Sequence, residues 1–142
     1  MTIARLIAGR ERPIIHCSAQ QSVREAARLL ADNRIGALPV LESGEVIGIF
    51  SERDLLYCAD QHGGAALDLS VADAMTAPPI TAQPSFSVLD ALELMTRRRI
   101  RHLPVIDGGR MVAFVSIGDL VKYRLDLIES EARAMRDYIR TA

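Results

Sequence analysis

The chain has 142 residues, room for one ordinary domain or for two very small ones that share a core. Hydrophobic residues at 49% and charged residues at 25% exclude a disordered chain, and Trp is absent, so the core must come from aliphatic side chains and Met. Seventeen Lys+Arg against eighteen Asp+Glu give a formal charge of −1, which leaves no global positive field for nucleic acid or an anionic membrane.

In chain order, residues 1–10 have arginines among their apolar side chains and no cleavage site after a hydrophobic run, so they do not read as an export signal. An extended piece at 14–17 precedes Ser22-Val-Arg-Glu25, a capping box that opens a helix. Val23, Ala26, Ala27 and Leu30 give that helix its apolar face. A strand at 37–41, a turn at Glu42-Ser-Gly44 and a strand at 46–50 follow, and Ser51-x-x-Asp54 starts a second helix. Gly63-Gly64 and Pro78-Pro79 mark a linker, within which Ser70-Val-Ala-Asp73 reads as the cap of a short helix ending near Met75.

The order then repeats. Residues 22–56 lie over 87–121 at an offset of 65 without a gap, and thirteen of the 35 positions are identical where chance gives about two. The second copy therefore runs through an extended piece at 79–82, a helix from Ser87-Val-Leu-Asp90, strands at 102–106 and 111–115 around Asp107-Gly-Gly109, and a helix from Ser116-x-x-Asp119. The fold class is α+β: two tandem β-α-β-β-α units, each too small to be stable alone, packed with pseudo-two-fold symmetry, plus a C-terminal helix. Repeat 1 is placed at 8–70, repeat 2 at 71–125 and the C-terminal amphipathic helix at 119–141. In that helix Val121, Leu125, Ile128, Ala132, Met135 and Ile139 step alternately by four and three, a heptad seam. The seam fits packing on its own domain or on a second copy. A dimer is favoured, because a helix that outruns its repeat has few neighbours in its own chain.

No nucleophile elbow, phosphate-binding loop or dinucleotide fingerprint occurs, so no catalytic residue is assigned and the chain does not read as an enzyme. His16, His62 and His102 are scattered, which excludes a close-spaced metal site, and Cys17 and Cys58 read as small apolar fillers in a reduced, cytoplasmic protein. The chemistry that stands out is Asp54 and Asp119. A carboxylate, ionised at neutral pH, can accept from two adjacent hydroxyls, and the start of a helix suits a phosphate. The same Ser-x-x-Asp spacing is also a plain helix cap, and spacing alone favours the cap.

Arg34-Ile-Gly-Ala-Leu-Pro-Val40 with Gly48-Ile-Phe-Ser-Glu-Arg-Asp54, and Arg99-Ile-Arg-His-Leu-Pro-Val105 with Ala113-Phe-Val-Ser-Ile-Gly-Asp119, resemble the cystathionine-beta-synthase (CBS) domain pair of stand-alone bacterial proteins. The resemblance covers nearly the whole chain. It implies a regulatory module that holds AMP, ADP, ATP, NAD(H) or S-adenosylmethionine between the repeats, with no catalytic cofactor. Asp54 and Asp119 would hold ribose hydroxyls, and Ser51 and Ser116 would touch the sugar or phosphate. Ile15, Ile80, Leu38, Pro39, Leu103 and Pro104 would enclose the base, with His16 and Thr81 as polar contacts. Arg101 and His102 replace Gly36 and Ala37 of the first copy and, with Arg53, are the expected phosphate ligands, so two unequal sites are expected. Arg97 and Arg98 read as charges offsetting a helix dipole, and nucleic acid ranks last as a partner. A homodimer and a regulated protein partner are implied, with no membrane. The competing expectation is a structural dimerisation domain that has lost its ligands.

Overall fold

The computed structural model describes residues 1–10 and 13–141. Its helices begin where the serines stand. Ser22 and Ser87 accept the amides of Glu25 and Asp90 at 3.1 and 2.9 Å, which opens α2 (Val23–Asn33) and α5 (Val88–Arg98). Both helices stop on an arginine in the left-handed region, Arg34 at φ 52° and Arg99 at φ 55°. A side chain there costs something that glycine would not, and the identical residue in both copies shows the repeat carried down to single dihedrals.

After each left-handed cap comes a hairpin. β2 (Ala37–Glu42) pairs antiparallel with β3 (Glu45–Ser51), and β4 (His102–Asp107) pairs with β5 (Arg110–Ser116). The two-residue loops place Ser43 and Gly44 at φ 51° and 83°, and Gly108 and Gly109 at 59° and 81°, the signs a tight hairpin of right-twisted strands demands. Each hairpin breaks register at the same place, between Val40 and Leu41 and between Val105 and Ile106.

The extended pieces are shorter than the sequence implies. The first is β1 (Cys17–Ser18), parallel to β2 through Cys17 and Val40; the second shrinks to a single parallel bridge between Ala82 and Val105. The first sheet thus has three strands and the second two. From the hairpins the chain enters α3 (Glu52–His62) and a 3-10 turn (Gly63–Asp68) in the first copy. α4 (Val71–Ala74) then follows where the linker helix is expected.

Two apolar cores form, and the chain crosses between them. Val71 of α4 packs with Val23, Leu30, Leu38 and Phe50 of the first repeat. A short helix at the start, α1 (Ile3–Ile7), sends Ile3 and Leu6 into the second core beside Val88, Met95, Leu103 and Val115. α1 is tied there by its backbone, with Ile3 N–H donating to the Phe86 carbonyl at 2.9 Å and Ala4 N–H to Pro84 at 2.8 Å. Each repeat is completed by the segment that precedes the other one. α1 was not expected, because five residues carry no usable period.

The last helix, α6 (Ile117–Thr141), runs for 25 residues, about 37 Å at 1.5 Å per residue. Leu120 is fully buried, and Ile117 and Tyr123 also pack on the second core. Beyond them the heptad seam stands in the open: Leu125 is 60% exposed, Met135 61% and Ile139 66%.

Candidate ligand-binding site

The two Ser-x-x-Asp junctions fold alike and differ in what stands in front of them. In both, the carboxylate takes the serine amide at 2.9 Å, and the serine hydroxyl takes the aspartate amide at 3.2 Å (Asp54) or 3.1 Å (Asp119). The cap is therefore real in both copies. In the first copy the Ser51 hydroxyl also donates to Asp54 Oδ2 at 3.0 Å, and Thr76 Oγ1 donates to Asp54 Oδ1 at 2.8 Å. Both oxygens of Asp54 are thereby occupied. In the second copy Asp119 Oδ1 faces the Arg10 guanidinium at 3.7 Å, beyond hydrogen-bond reach.

The strand beside each junction shows why. Thr76 bridges to Ile49, exchanging backbone bonds of 2.8 and 2.9 Å, and so lays the segment after α4 across β3. A Cβ on Gly48 would meet Met75 Sδ at 2.7 Å and the Thr76 carbonyl at 3.0 Å. The chain itself lies on the strand at Gly48 and leaves no room for a Cβ. Thr2 and Ser70 make matching bridges, to Ser87 and Ser22. From those bridges to the aligned prolines, the N-terminal segment spans residues 3–12 and its counterpart only 71–77. The longer segment leaves room over Ala113.

That room is a cavity of about 750 Å³. Ala113, Phe114, Ser116 and Asp119 form its wall from the second repeat, and Ile14, Ile15, Ile35 and Ala37 its wall from the first. Gly9, Arg10 and Pro13 close one side, and Lys122, Tyr123 and Asp126 of α6 another. His102 stacks on Phe114, ring centroids 5.4 Å apart and 14° from parallel, and lies against Gly36 and close to Glu52, across the seam between the repeats. Burial pushes the His102 pKa below its ordinary value; the Asp119 and Glu52 carboxylates oppose that shift and Arg101 adds to it.

Of the residues singled out from sequence, Ile15, His102, Ser116 and Asp119 come together on this cavity. The others stand away from its lining. Leu38, Pro39, Leu103 and Pro104 are buried, the two leucines in the separate cores. Ser51 bonds Asp54, whose other oxygen takes the Thr76 hydroxyl, and Arg53 reaches the Arg99 carbonyl at 3.4 Å. His16 is exposed, its Nδ1 bonded to the Ile14 carbonyl at 3.0 Å. Ile80 packs on the second core, Thr81 lies in a separate hollow with Gln83 and Ser85, and Arg101 is exposed.

Arg10, Lys122, Tyr123 and Asp126 escaped the sequence reading. For the last three a signal existed, since positions three, four and seven after Asp119 share its helix face. Arg10 gave none, because it lies in the stretch where the repeat register is lost. Among the described residues no group of His, Cys, Asp or Glu could hold a metal, and no helix is long and apolar enough to cross a membrane.

The family model described as the CBS domain matches residues 10–60 and again 71–126. The chain belongs to the CBS domain family. A solved CBS-domain protein, ATU1752 of Agrobacterium tumefaciens, superposes with a TM-score of 0.83 at 37% identity, over 87% of this chain and 99% of that one. The CBS domain-containing protein CBSX3 of Arabidopsis thaliana, described as mitochondrial, is 36% identical over 128 residues, 87% of this chain and 62% of that protein. CBSX2, solved in complex with AMP, gives a TM-score of 0.76 at 25% identity over 89% of this chain and 97% of that one. Inosine-5'-monophosphate dehydrogenases also match, but this CBS pair spans only 22–24% of their length.

Proposed function

We propose that this CBS pair is a regulatory module sensing an adenosine-containing ligand, AMP, ADP, ATP or NAD(H), in the cavity over Asp119. The carrying observation is the contrast between the two junctions: Asp54 is satisfied by Thr76, while Asp119 and Ser116 open into about 750 Å³ of space. That volume falls in the range of small-molecule sites. Asp119 Oδ1 and the Ser116 hydroxyl would take the ribose diol. The apolar Ile14, Ile15 and Ile35 would take the base, and Arg10 and Lys122 a phosphate. The AMP complex of the related CBSX2 supports the ligand class. The reading assigns one ligand per chain and no chemistry upon it.

The exposed seam of α6 supports a homodimer; a regulated protein partner and a cytoplasmic location complete the proposal. That same seam also favours a second reading, a structural dimerisation domain without ligand. Native mass spectrometry of freshly purified protein separates the two, followed by calorimetric titration of AMP, ATP, NADH and S-adenosylmethionine into ligand-free sample. Binding of one ligand per chain supports the sensor. Silence from all four supports the structural dimer.

A further inference from the structure

Arg10 holds the side of Asp119 that the helix cap leaves over. Gly9, at φ 77° and with open space where a Cβ would stand, turns the chain just before it. Nη2 of Arg10 is 3.7 Å from Asp119 Oδ1, and the two side chains are 38% and 36% exposed. An ion pair so long and so wet is weak and gives way readily. Among the described residues, the other charged side chains on the cavity are Lys122 and Asp126, and burial lowers the pKa of His102 beside them.

A sugar diol that settles on Asp119 must take the oxygen from Arg10. The diol is neutral, so it displaces the guanidinium and offers nothing in return. A phosphate on the same sugar does offer something: an anion in the cavity that the displaced side chain already lines. The planar fork of an arginine suits phosphate oxygens better than a point charge does. Building on the adenosine reading above, we infer that Arg10 is a specificity-determining residue that exchanges Asp119 for the ligand's phosphate and so selects phosphorylated adenosines over adenosine. The phosphate ligands expected from the family resemblance, Arg53 and Arg101, lie off the cavity.

The test is calorimetric titration of adenosine and of AMP into wild type, Arg10→Gln and Arg10→Lys, each freed of ligand. Arg10→Gln removes a competitor for Asp119 and a partner for phosphate, so the two ligands should move in opposite directions. AMP should weaken about tenfold, and adenosine should tighten by up to about threefold. Arg10→Lys keeps the charge and should retain most of the preference for AMP. Loss of adenosine and AMP in equal proportion in Arg10→Gln, or AMP binding that does not change, overturns the inference while leaving the adenosine site standing. Wild-type protein that takes up neither ligand overturns both.

Discussion

Removing Asp54 and removing Asp119 should have opposite consequences, although the two residues are aligned and both cap a helix. Asp54→Ala deletes the acceptor of three contacts, from Ser51 N–H at 2.9 Å, the Ser51 hydroxyl at 3.0 Å and the Thr76 hydroxyl at 2.8 Å. At about 1 kcal/mol net for each, and allowing for partial exposure, the cost is about 2–3 kcal/mol. For a chain of this size that lowers Tm by roughly 5–10 °C. Asp119→Ala deletes one bond of 2.9 Å and an ion pair of 3.7 Å between side chains more than a third exposed. Its cost is about 1 kcal/mol, close to that of a lost cap. For ligand the order reverses. Two ribose hydrogen bonds to a carboxylate amount to roughly 10–100-fold in Kd, and only Asp119 stands to make them. Urea unfolding and AMP calorimetry on both variants, with Asp54→Asn as a gentler partner, measure the two effects side by side. If the Asp54 variants lose more affinity than Asp119→Ala, or are the more stable, the assignment of one junction to the fold and the other to the ligand is wrong.

Two further outcomes follow from the same geometry. Gly48→Ala places a methyl 2.7 Å from Met75 Sδ and 3.0 Å from the Thr76 carbonyl, so it should destabilise by about 1–3 kcal/mol in urea unfolding. Adding Met75→Ala should recover part of that loss, since a side chain can yield and the carbonyl cannot; a neutral Gly48→Ala would show that the Thr76 segment does not rest on β3. For His102, the folded state holds its imidazole below the ordinary pKa of 6.5, so near that pH the unfolded chain binds more protons. Stability should therefore fall as pH drops from 7 through 6.5, and His102→Gln should flatten that arm of the curve. An identical pH dependence in the variant would refute the cause.

Most of the architecture is legible in the sequence, because its determinants are local and doubled. Ser22, Ser51, Ser87 and Ser116 cap where their spacing says, and the glycine turns fix both hairpins. What could not be read arises between distant segments. Nothing in Gly48 tells whether a strand leaves space for a ligand or for its own chain. The answer lay in three residues of extra length before Pro13, which have no signature of their own. Similarly, Leu38 and Leu103 lie in the motif that carries the family resemblance, yet strand alternation turns them into the cores.

The crossing of α1 into the second core also bears on how the molecule is made. Ile3 leaves the ribosome about a hundred residues ahead of Val105, and at ~5–20 residues per second that is a wait of roughly 5–20 s. During synthesis the first repeat can gather its own core as soon as Val71 emerges, but the core that Ile3 and Leu6 enter stays incomplete until the final hairpin is out. The last closure joins residues about a hundred positions apart, a contact of long sequence separation. Nascent chains stalled before residue 103 should thus carry a finished first repeat with a loose apolar arm, the segment most open to chaperones and proteases.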